Sequence, residues 1–586
     1  MAEHFESLVD LWEKSCTKYA GRELFGTKTA AGWTWITYAQ FRDEVDACRA
    51  ALARLGVGPG DRVGIVSDNR VEWAVACYAT YGRGAAFVPM YEAQKSDEWA
   101  FILEDSGCKV VLGAKPAIHE KLVAVKKTLP ALARVIGFDL PEDHPDSFRK
   151  LLAEAAGTPV RPERPKPGDV AGLIYTSGTT GKPKGVILSH GNICSNINAI
   201  HQIFTFTSDD RSLSFLPWAH SFGQTCELHG LVSMGCSIAI NDEIPNLLAN
   251  LAEVKPTVLF AVPRIFNRIY DGVNKQIAER PGIIQNLFHR GIAAATRQRR
   301  GEPVGLVDRL VLALADRLIF STIRARFGGR LKYAISGSAA LNPDVANFID
   351  ALGIEVYEGY GLTETSPIAT ANFPGARKIG SVGKPIPGVR IVIDRSVTGE
   401  EKNGEVVIFG PNVMQGYHNR PEENAAVLMP DGGFRSGDMG YVSSDGYLYI
   451  TGRIKEQYKL ENGKYVVPSP LEEDLKLSPY IANVMVHGAN KPYNVALIVP
   501  DAEAIERWRR EHGGNASDDE MRALIADEIK KHSGAFKNYE RPEKFVLVRE
   551  DFTTDNGMLT PTLKLKRRAV LARYEKQLDE LYRGDR

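Results

Sequence analysis

Net charge is the first thing this sequence does not have: Lys+Arg and Asp+Glu both number 72 in 586 residues. Without a basic excess the chain carries no global electrostatic footprint for nucleic acid, and its balance gives no general pull toward an acidic membrane. Cysteine is scarce, with seven residues at positions 16, 48, 77, 108, 194, 226 and 236, and no pair has C-x-x-C spacing. An odd set without paired spacing argues against a disulfide framework or a structural zinc site and suits a reducing cytoplasm. The opening "MAEHFESLVDLWEKSCTKYA" lacks the basic-then-apolar order of a secretory signal. No run approaches the roughly 20 apolar residues that cross a bilayer. Internal repeats and low-complexity tracts are also missing. A soluble cytoplasmic protein is the expectation, with peripheral contact at a membrane left open.

Hydrophobic residues make up 44% of the chain and charged residues 25%, the proportions of an ordinary soluble enzyme. The length exceeds what one hydrophobic core holds, so two or more domains are expected. Short β-rich runs, "DRVGIVS", "AAFVPMY", "KVVLGA" and "ARVIGFD", alternate with helical patterns such as "YAQFRDEVDACRAALARLG". That alternation predicts an α/β protein built on parallel sheets. After about residue 370 short strands and turns take over ("VRIVID", "GEVVIFG", "GYLYITG"), which predicts a small β-rich subdomain. From Arg453 a smaller α+β unit is expected, with strands at "NVMVHG", "NVALIVPD" and "KFVLVRE" and a helix over 518–532. The Pro-rich "TPVRPERPKPGD" reads as an exposed connector.

The stretch "IYTSGTTGKPKG", 174–185, concentrates three glycines, five hydroxyl side chains and two lysines behind an apolar run. Glycines let a backbone approach a ligand, and hydroxyls and lysines suit phosphate. It is not a Walker A loop, because Gly178 and Gly181 are too close and Lys182 is followed by Pro183 rather than a hydroxyl residue. A polar surface turn is the plain alternative. Five further strings follow in order: "ISGSAAL" (335–341), "YGLTET" (360–365), "RSGDMG" with Asp438, "TGRIKEQYKLENGKYV" with Arg453, Lys455 and Lys459, and "LTPTLKLKR" with Lys564.

These six strings in this order resemble the adenylate-forming superfamily of acyl-CoA synthetases, luciferases and peptide-synthetase adenylation domains. The resemblance covers nearly the whole chain. It implies a phosphate loop of Thr176, Ser177, Gly178, Thr179, Thr180, Gly181 and Lys184. It implies adenine contacts at Gly337, Ser338, Glu358, Gly359 and Tyr360, with Thr363 near the phosphates. Magnesium falls to Glu364, with Thr176 as a further oxygen ligand, in keeping with that ion's preference for oxygen. Asp438 matches the acid that takes the ribose hydroxyls. Arg453 and Lys455 match the hinge between an N-terminal domain, 1–452, and a mobile C-terminal domain, 453–586. Lys564 matches the catalytic lysine of adenylation, and Lys459 a lysine that enters the site after domain rotation.

Within the superfamily, "EQYKLENGKYVVPSPLEEDL", "LTPTLKLKR" and "SFLPWAHSFGQ" are similar to the long-chain fatty acyl-CoA synthetases, and the last places His220 at the carboxylate end of an acyl pocket. A lone histidine is more often structural than catalytic, so His220 is a positioning candidate. Some bacterial members have a gating tryptophan four residues beyond this histidine; here Gln224 stands there, and Trp218 reads as core. Segments 201–240, 257–270 and 334–341 are the expected pocket walls. The implied activity is a fatty acid–CoA ligase using Mg²⁺, ATP and CoA, with acyl-AMP as intermediate. Ligases for medium-chain or aryl acids, a fatty acyl-AMP ligase feeding a carrier protein, and a non-catalytic ATP sensor are the alternatives. Only about 22 residues follow Lys564, which argues against an attached carrier domain. A homodimer is left open.

Overall fold

The computed structural model describes residues 3–176, 182–397, 401–512, 517–560 and 564–583. The chain forms two compact units. The first comprises Met1–Ile391, Val407–Arg435 and Ser444–Leu448. It holds two large mixed sheets with helices between their strands, the α/β architecture that the alternating runs predicted.

One sheet has seven strands in the order Gly416–Tyr417, Lys184–Ser189, Val170–Thr176, Ala86–Met90, Arg62–Val66, Val110–Gly113 and Arg134–Gly137. The last five run parallel, and the hairpin partner Lys184–Ser189 and the short Gly416–Tyr417 extend them antiparallel. Ala86–Met90 and Val110–Gly113 are buried along their whole length, which is why they read as unbroken apolar runs rather than alternating ones. The helix Tyr38–Arg54 starts at a capping box made by Thr37 and Gln40 and stops before Gly56, whose left-handed φ of 77° lets the chain turn away.

The second sheet has nine strands in the order Lys384–Pro385, Ile368–Ala371, Val356–Gly361, Tyr333–Ser336, Val258–Ala261, Arg211–Ser214, Ser237–Ile240, Glu23–Thr29 and Gly32–Thr37. Six are parallel, from Val356–Gly361 through Glu23–Thr29. All seven cysteines are buried and unpaired, and burial pushes the thiols of Cys16, Cys48 and Cys108 up to about 12, which makes them inert packing groups.

The second unit comprises Val392–Val406, Ser436–Ser443 and Tyr449–Arg586. It takes in most of a four-stranded sheet, ordered Arg390–Asp394, Gly404–Phe409, Phe434–Val442 and Leu448–Arg453. Its three-stranded sheet pairs Ile481–His487 antiparallel and Pro542–Leu547 parallel with the central Asn494–Pro500. Met485, Leu497 and Val499 pack on one face with Val570 and Tyr574 of the C-terminal helix Arg567–Glu580. Val484, Ala496 and Ile498 pack on the other with Leu471 and Ile525 from the helices Pro468–Leu475 and Asp518–His532. A buried two-pronged ion pair, Arg567 Nη1 and Nη2 to Glu472 at 2.9 and 2.6 Å, ties the C-terminal helix to Pro468–Leu475. Among the described residues no helix is long and apolar enough to cross a membrane.

Candidate active site

Four neighbouring parallel strands of the nine-stranded sheet, Arg211–Ser214, Val258–Ala261, Tyr333–Ser336 and Val356–Gly361, end on one side. In open α/β sheets ligands bind outside the carboxyl ends of the strands. Strings far apart in sequence therefore meet along one rim. After Arg211–Ser214 comes His220, whose ring Nδ1 accepts from the Phe222 amide at 3.2 Å. After Tyr333–Ser336 come Gly337 and Ser338, the latter in the left-handed region at φ 71°. A Cβ on Gly337 would come within 3.1 Å of the Phe222 ring, and that ring meets Phe260 edge-on at 6.0 Å. One residue from each of the three expected wall segments thus lies in this contact.

The strand Val356–Gly361 carries Glu358, Gly359 and Tyr360. Glu358 is buried, its Oε1 accepts from the Leu341 amide at 3.0 Å, and burial pushes its carboxyl up to about 7. This carboxyl ties the "ISGSAAL" loop to its neighbouring strand. At Gly361 a Cβ would overlap the Pro367 carbonyl, so only glycine lets the chain fold back there. The short turn Thr363–Thr365 follows. Thr363 is buried with its Oγ1 3.3 Å from Ser221 Oγ, next in sequence to His220.

The other sheet supplies the hairpin in which the phosphate loop is expected. Thr176 pairs with Lys184 across its open end; Ser177, Gly178, Thr179, Thr180 and Gly181 lie outside the described residues. Lys184 Nζ is 3.5 Å from Glu423 Oε1 and 5.1 Å from the centre of the Tyr417 ring. Tyr417 lies opposite Val186 on the antiparallel edge strand, and its hydroxyl donates to Glu364 Oε1 at 2.7 Å. The Met414 amide donates to the Glu364 carbonyl at 2.8 Å. Burial, and secondly the Glu364 carboxylate, raise the Tyr417 phenol far above its ordinary range, so it stays a donor. Behind the hairpin the Tyr175 hydroxyl donates to Asp105 Oδ2 at 2.7 Å, and Arg420 Nη1 approaches Asp105 Oδ1 at 3.5 Å.

Sequence reasoning missed Tyr417, Glu423, Asp105 and Arg420. The only signal for Tyr417, Arg420 and Glu423 was "GYHNRPEE", 416–423, where an aromatic, an imidazole, a guanidinium and two acids crowd together, and Asp105 had none.

The remaining expected residues belong to the second unit. Asp438 is buried, and Arg453 Nε is 3.0 Å from its Oδ1, while its own amide donates to Ser436 Oγ at 3.0 Å. Lys455 is exposed in the turn that follows the strand Leu448–Arg453. Lys459 is exposed beside Tyr465, 5.5 Å from that ring's centre. Lys564 is exposed, its amide donating to Thr560 Oγ1 at 3.0 Å. Residues 561–563 lie outside the described residues.

The arrangement joins a cation to a half-buried carboxylate through one phenol, at the mouth of a hairpin rich in hydroxyls. Such a set suits a polyanion with a hard divalent ion. Among the described residues no group of three or more His, Cys, Asp or Glu side chains is placed to hold a metal ion. An ion at Glu364 would therefore take its other ligands from oxygens outside that set: the Thr176 hydroxyl, phosphate and solvent.

Comparison with known proteins gives two family matches: residues 12–418 match the AMP-binding enzyme model, and residues 455–586 the C-terminal domain of AMP-binding enzymes. The chain is 36% identical to the long-chain-fatty-acid–CoA ligase FadD15 of Mycobacterium bovis, over 94% of this chain and 92% of that one. It is 30% identical to human long-chain-fatty-acid–CoA ligase 1, over 98% and 88%. Among solved structures, the adenylation domain of a carboxylate reductase from Mycobacterium chelonae superposes with a TM-score of 0.82 at 23% identity, covering 99% of this chain and 92% of that one. That likeness concerns the fold alone.

Proposed function

This chain belongs to the AMP-binding enzyme family, and from that premise we propose how its residues divide the work. The chain is an AMP-forming ligase: it activates a long-chain fatty acid with ATP as the acyl adenylate, releases pyrophosphate, and transfers the acyl group to CoA as a thioester.

A free carboxylate is a poor acyl donor because its leaving group would be oxide. In the first step its oxygen attacks the α-phosphorus of ATP, and the bond to the pyrophosphate oxygen breaks. In the second, the CoA sulfur adds to the acyl carbon and AMP leaves. The reactants of the first step are both anionic, so the site must cancel charge and align atoms in line. Lys184 and the phosphate-loop hydroxyls of Thr176 through Gly181 hold the phosphates. Glu364 and Thr176 would hold magnesium, which neutralises phosphate charge when bound. Tyr360, Gly337, Ser338, Glu358 and Gly359 frame adenine, Thr363 reaches toward the phosphates, and Asp438 and Arg453 take the ribose. His220 orients the fatty carboxylate. The second unit turns about Lys455, offering Lys564 to adenylation and Lys459 to thioester formation. We place the reaction in the cytoplasm, with the fatty acid drawn from a membrane surface.

The observation that carries this reading is the Tyr417 hydroxyl bond to Glu364 beside Lys184, which assembles the cation and the acid from two different sheets. The test is magnesium-dependent pyrophosphate release with saturated acids of increasing length, run with and without CoA. Each buried methylene contributes about 0.8 kcal/mol, so the specificity constant should climb from short to long acids, with thioester formed only when CoA is present. A maximum at acetate or benzoate would overturn the long-chain assignment.

A further inference from the structure

The helices Gly282–Arg299 and Leu306–Ala315 form a hairpin in the first unit. Their inner faces are satisfied. A Cβ on Gly291 would come within 2.5 Å of the Ala315 Cβ, so the glycine permits close approach, and Arg297 Nη2 donates to Asp308 Oδ2 at 2.8 Å. Phe288 packs edge-on against Phe320 and Phe348.

The outer face is not satisfied. Leu306 is 78% exposed, Leu310 72% and Val307 65%, and Leu314 and Leu318 are about half exposed. Steps of three and four residues put these side chains on one stripe of the helix and its continuation. Ile283, at the start of the partner helix, is 82% exposed. Half of the chain's exposed large apolar side chains among the described residues therefore lie in this hairpin, a clustering that marks an interaction surface rather than scattered exposure.

The charge around the stripe selects the partner. Residues 280–330 contain ten arginines, no lysine and three acids, Glu302, Asp308 and Asp316, a surplus of seven in a chain with no net charge. Asp308 is paired with Arg297, and Asp316 with Arg324 at 2.7 Å. Arg309 and Arg317, on the same run as the leucines, are exposed and form no ion pair among the described residues. Arginine is the side chain that grips phosphate with two parallel donors.

We infer that this hairpin docks on an anionic lipid surface, the leucine stripe entering the headgroup boundary and the arginines meeting lipid phosphates. A second copy of the chain fits less well, because an isologous contact would bring like-charged arginine rims together. Nucleic acid offers nothing to the leucines. The inference deepens the long-chain reading by naming the surface at which a poorly soluble acid is collected, yet it rests on the hairpin alone, so docking and acid preference fail separately.

The test is co-sedimentation of the full chain with vesicles of equal parts phosphatidylglycerol and phosphatidylcholine, against phosphatidylcholine alone. The wild type should bind the anionic vesicles about thirtyfold more tightly, the scale expected for two arginines at a charged surface. Leu310→Glu/Leu314→Glu should abolish binding to both, and Arg309→Gln/Arg317→Gln should remove the anionic preference and its salt dependence. Both variants should keep the wild-type rate on a soluble medium-chain acid without vesicles, which also certifies their folding. Undiminished vesicle binding by the leucine variant would overturn the proposal. So would a dimer that this variant splits while the wild type ignores vesicles, an outcome that assigns the stripe to a second copy.

Discussion

At Glu364 one carboxylate oxygen accepts the Tyr417 hydroxyl at 2.7 Å, and the same ring faces the Lys184 ammonium. A half-buried carboxylate so held keeps one lone-pair direction set before any ion arrives, which is the preorganisation electrostatic catalysis relies on. Glu364→Gln preserves shape and removes the charge. Pyrophosphate release should fall about 100-fold or more, since a metal's stabilisation of developing charge is worth several kcal/mol, while the unfolding midpoint moves little. Tyr417→Phe removes only the hydroxyl. It should slow adenylation about tenfold, the equivalent of about 1.4 kcal/mol, and raise the magnesium concentration needed for half-maximal rate. An unchanged magnesium dependence in Tyr417→Phe would show that the phenol does not position this acid.

Among the elements, the π-helical turn Phe222–His229 stands out because all eight residues are buried although three are polar and potentially charged or amide-bearing. Gln224 Nε2 donates to Tyr81 Oη at 3.3 Å, and His229 Nδ1 is 2.8 Å from Tyr78 Oη. Glu227 accepts from Ser212 Oγ and Ser214 Oγ at 2.5 and 2.6 Å. Burial pushes Glu227 up to about 7 and His229 down to about 3, so both favour their neutral forms. A carboxyl whose folded value lies above its unfolded one stabilises the fold fully below the unfolded value and loses that contribution as pH rises through the folded value. For Glu227 the window runs from its ordinary 4.5 to about 7, with a slope of at most about 1.4 kcal/mol per pH unit. His229 has the opposite sign, gaining stability as pH rises from about 3 to its ordinary 6.5. The two slopes partly cancel in the wild type. Glu227→Gln should therefore gain on the wild type in thermal midpoint as pH moves from about 5 to about 8. A midpoint difference that is flat over this range would mean Glu227 is not the titrating group.

At the scale of the molecule, the first unit carries Lys184, His220, Gly337, Glu358, Thr363 and Glu364, and the second carries Asp438, Arg453, Lys455, Lys459 and Lys564. The proposed alternation makes one prediction that no single-pose site makes. Lys564→Ala should lose adenylate formation yet still convert supplied acyl adenylate and CoA to thioester, and Lys459→Ala should show the reverse bias. Single-turnover measurements of each half-reaction separate these. Equal losses in both halves for Lys564→Ala, with an unaltered unfolding midpoint, would contradict alternation.

Much of this was readable from the sequence alone. The β-rich runs around 62–66, 86–90, 110–113 and 134–137 are parallel strands, as their alternation with helical patterns predicts; they are apolar apart from Arg62 and Arg134 at two of their starts, because a strand covered on both faces leaves few polar positions. Trp218, read as core, is fully buried against Trp73 and Phe25. The expectation of a phosphate-type loop at 174–185 needed only neighbouring residues, because the chemistry of glycines and hydroxyls is local. Strand order is not local. That Lys184 lies one tyrosine from Glu364, with Tyr417 drawn from a later stretch, depends on a two-residue edge strand pairing with Lys184–Ser189, too short for any periodicity to announce. The buried polar turn at Phe222–His229 was equally invisible, since Glu227 finds its serines only once the strand Arg211–Ser214 is laid beside it. The leucine stripe of 306–318 reads in sequence as an ordinary core-facing helix, and tertiary packing alone decided which side of it the protein would leave uncovered.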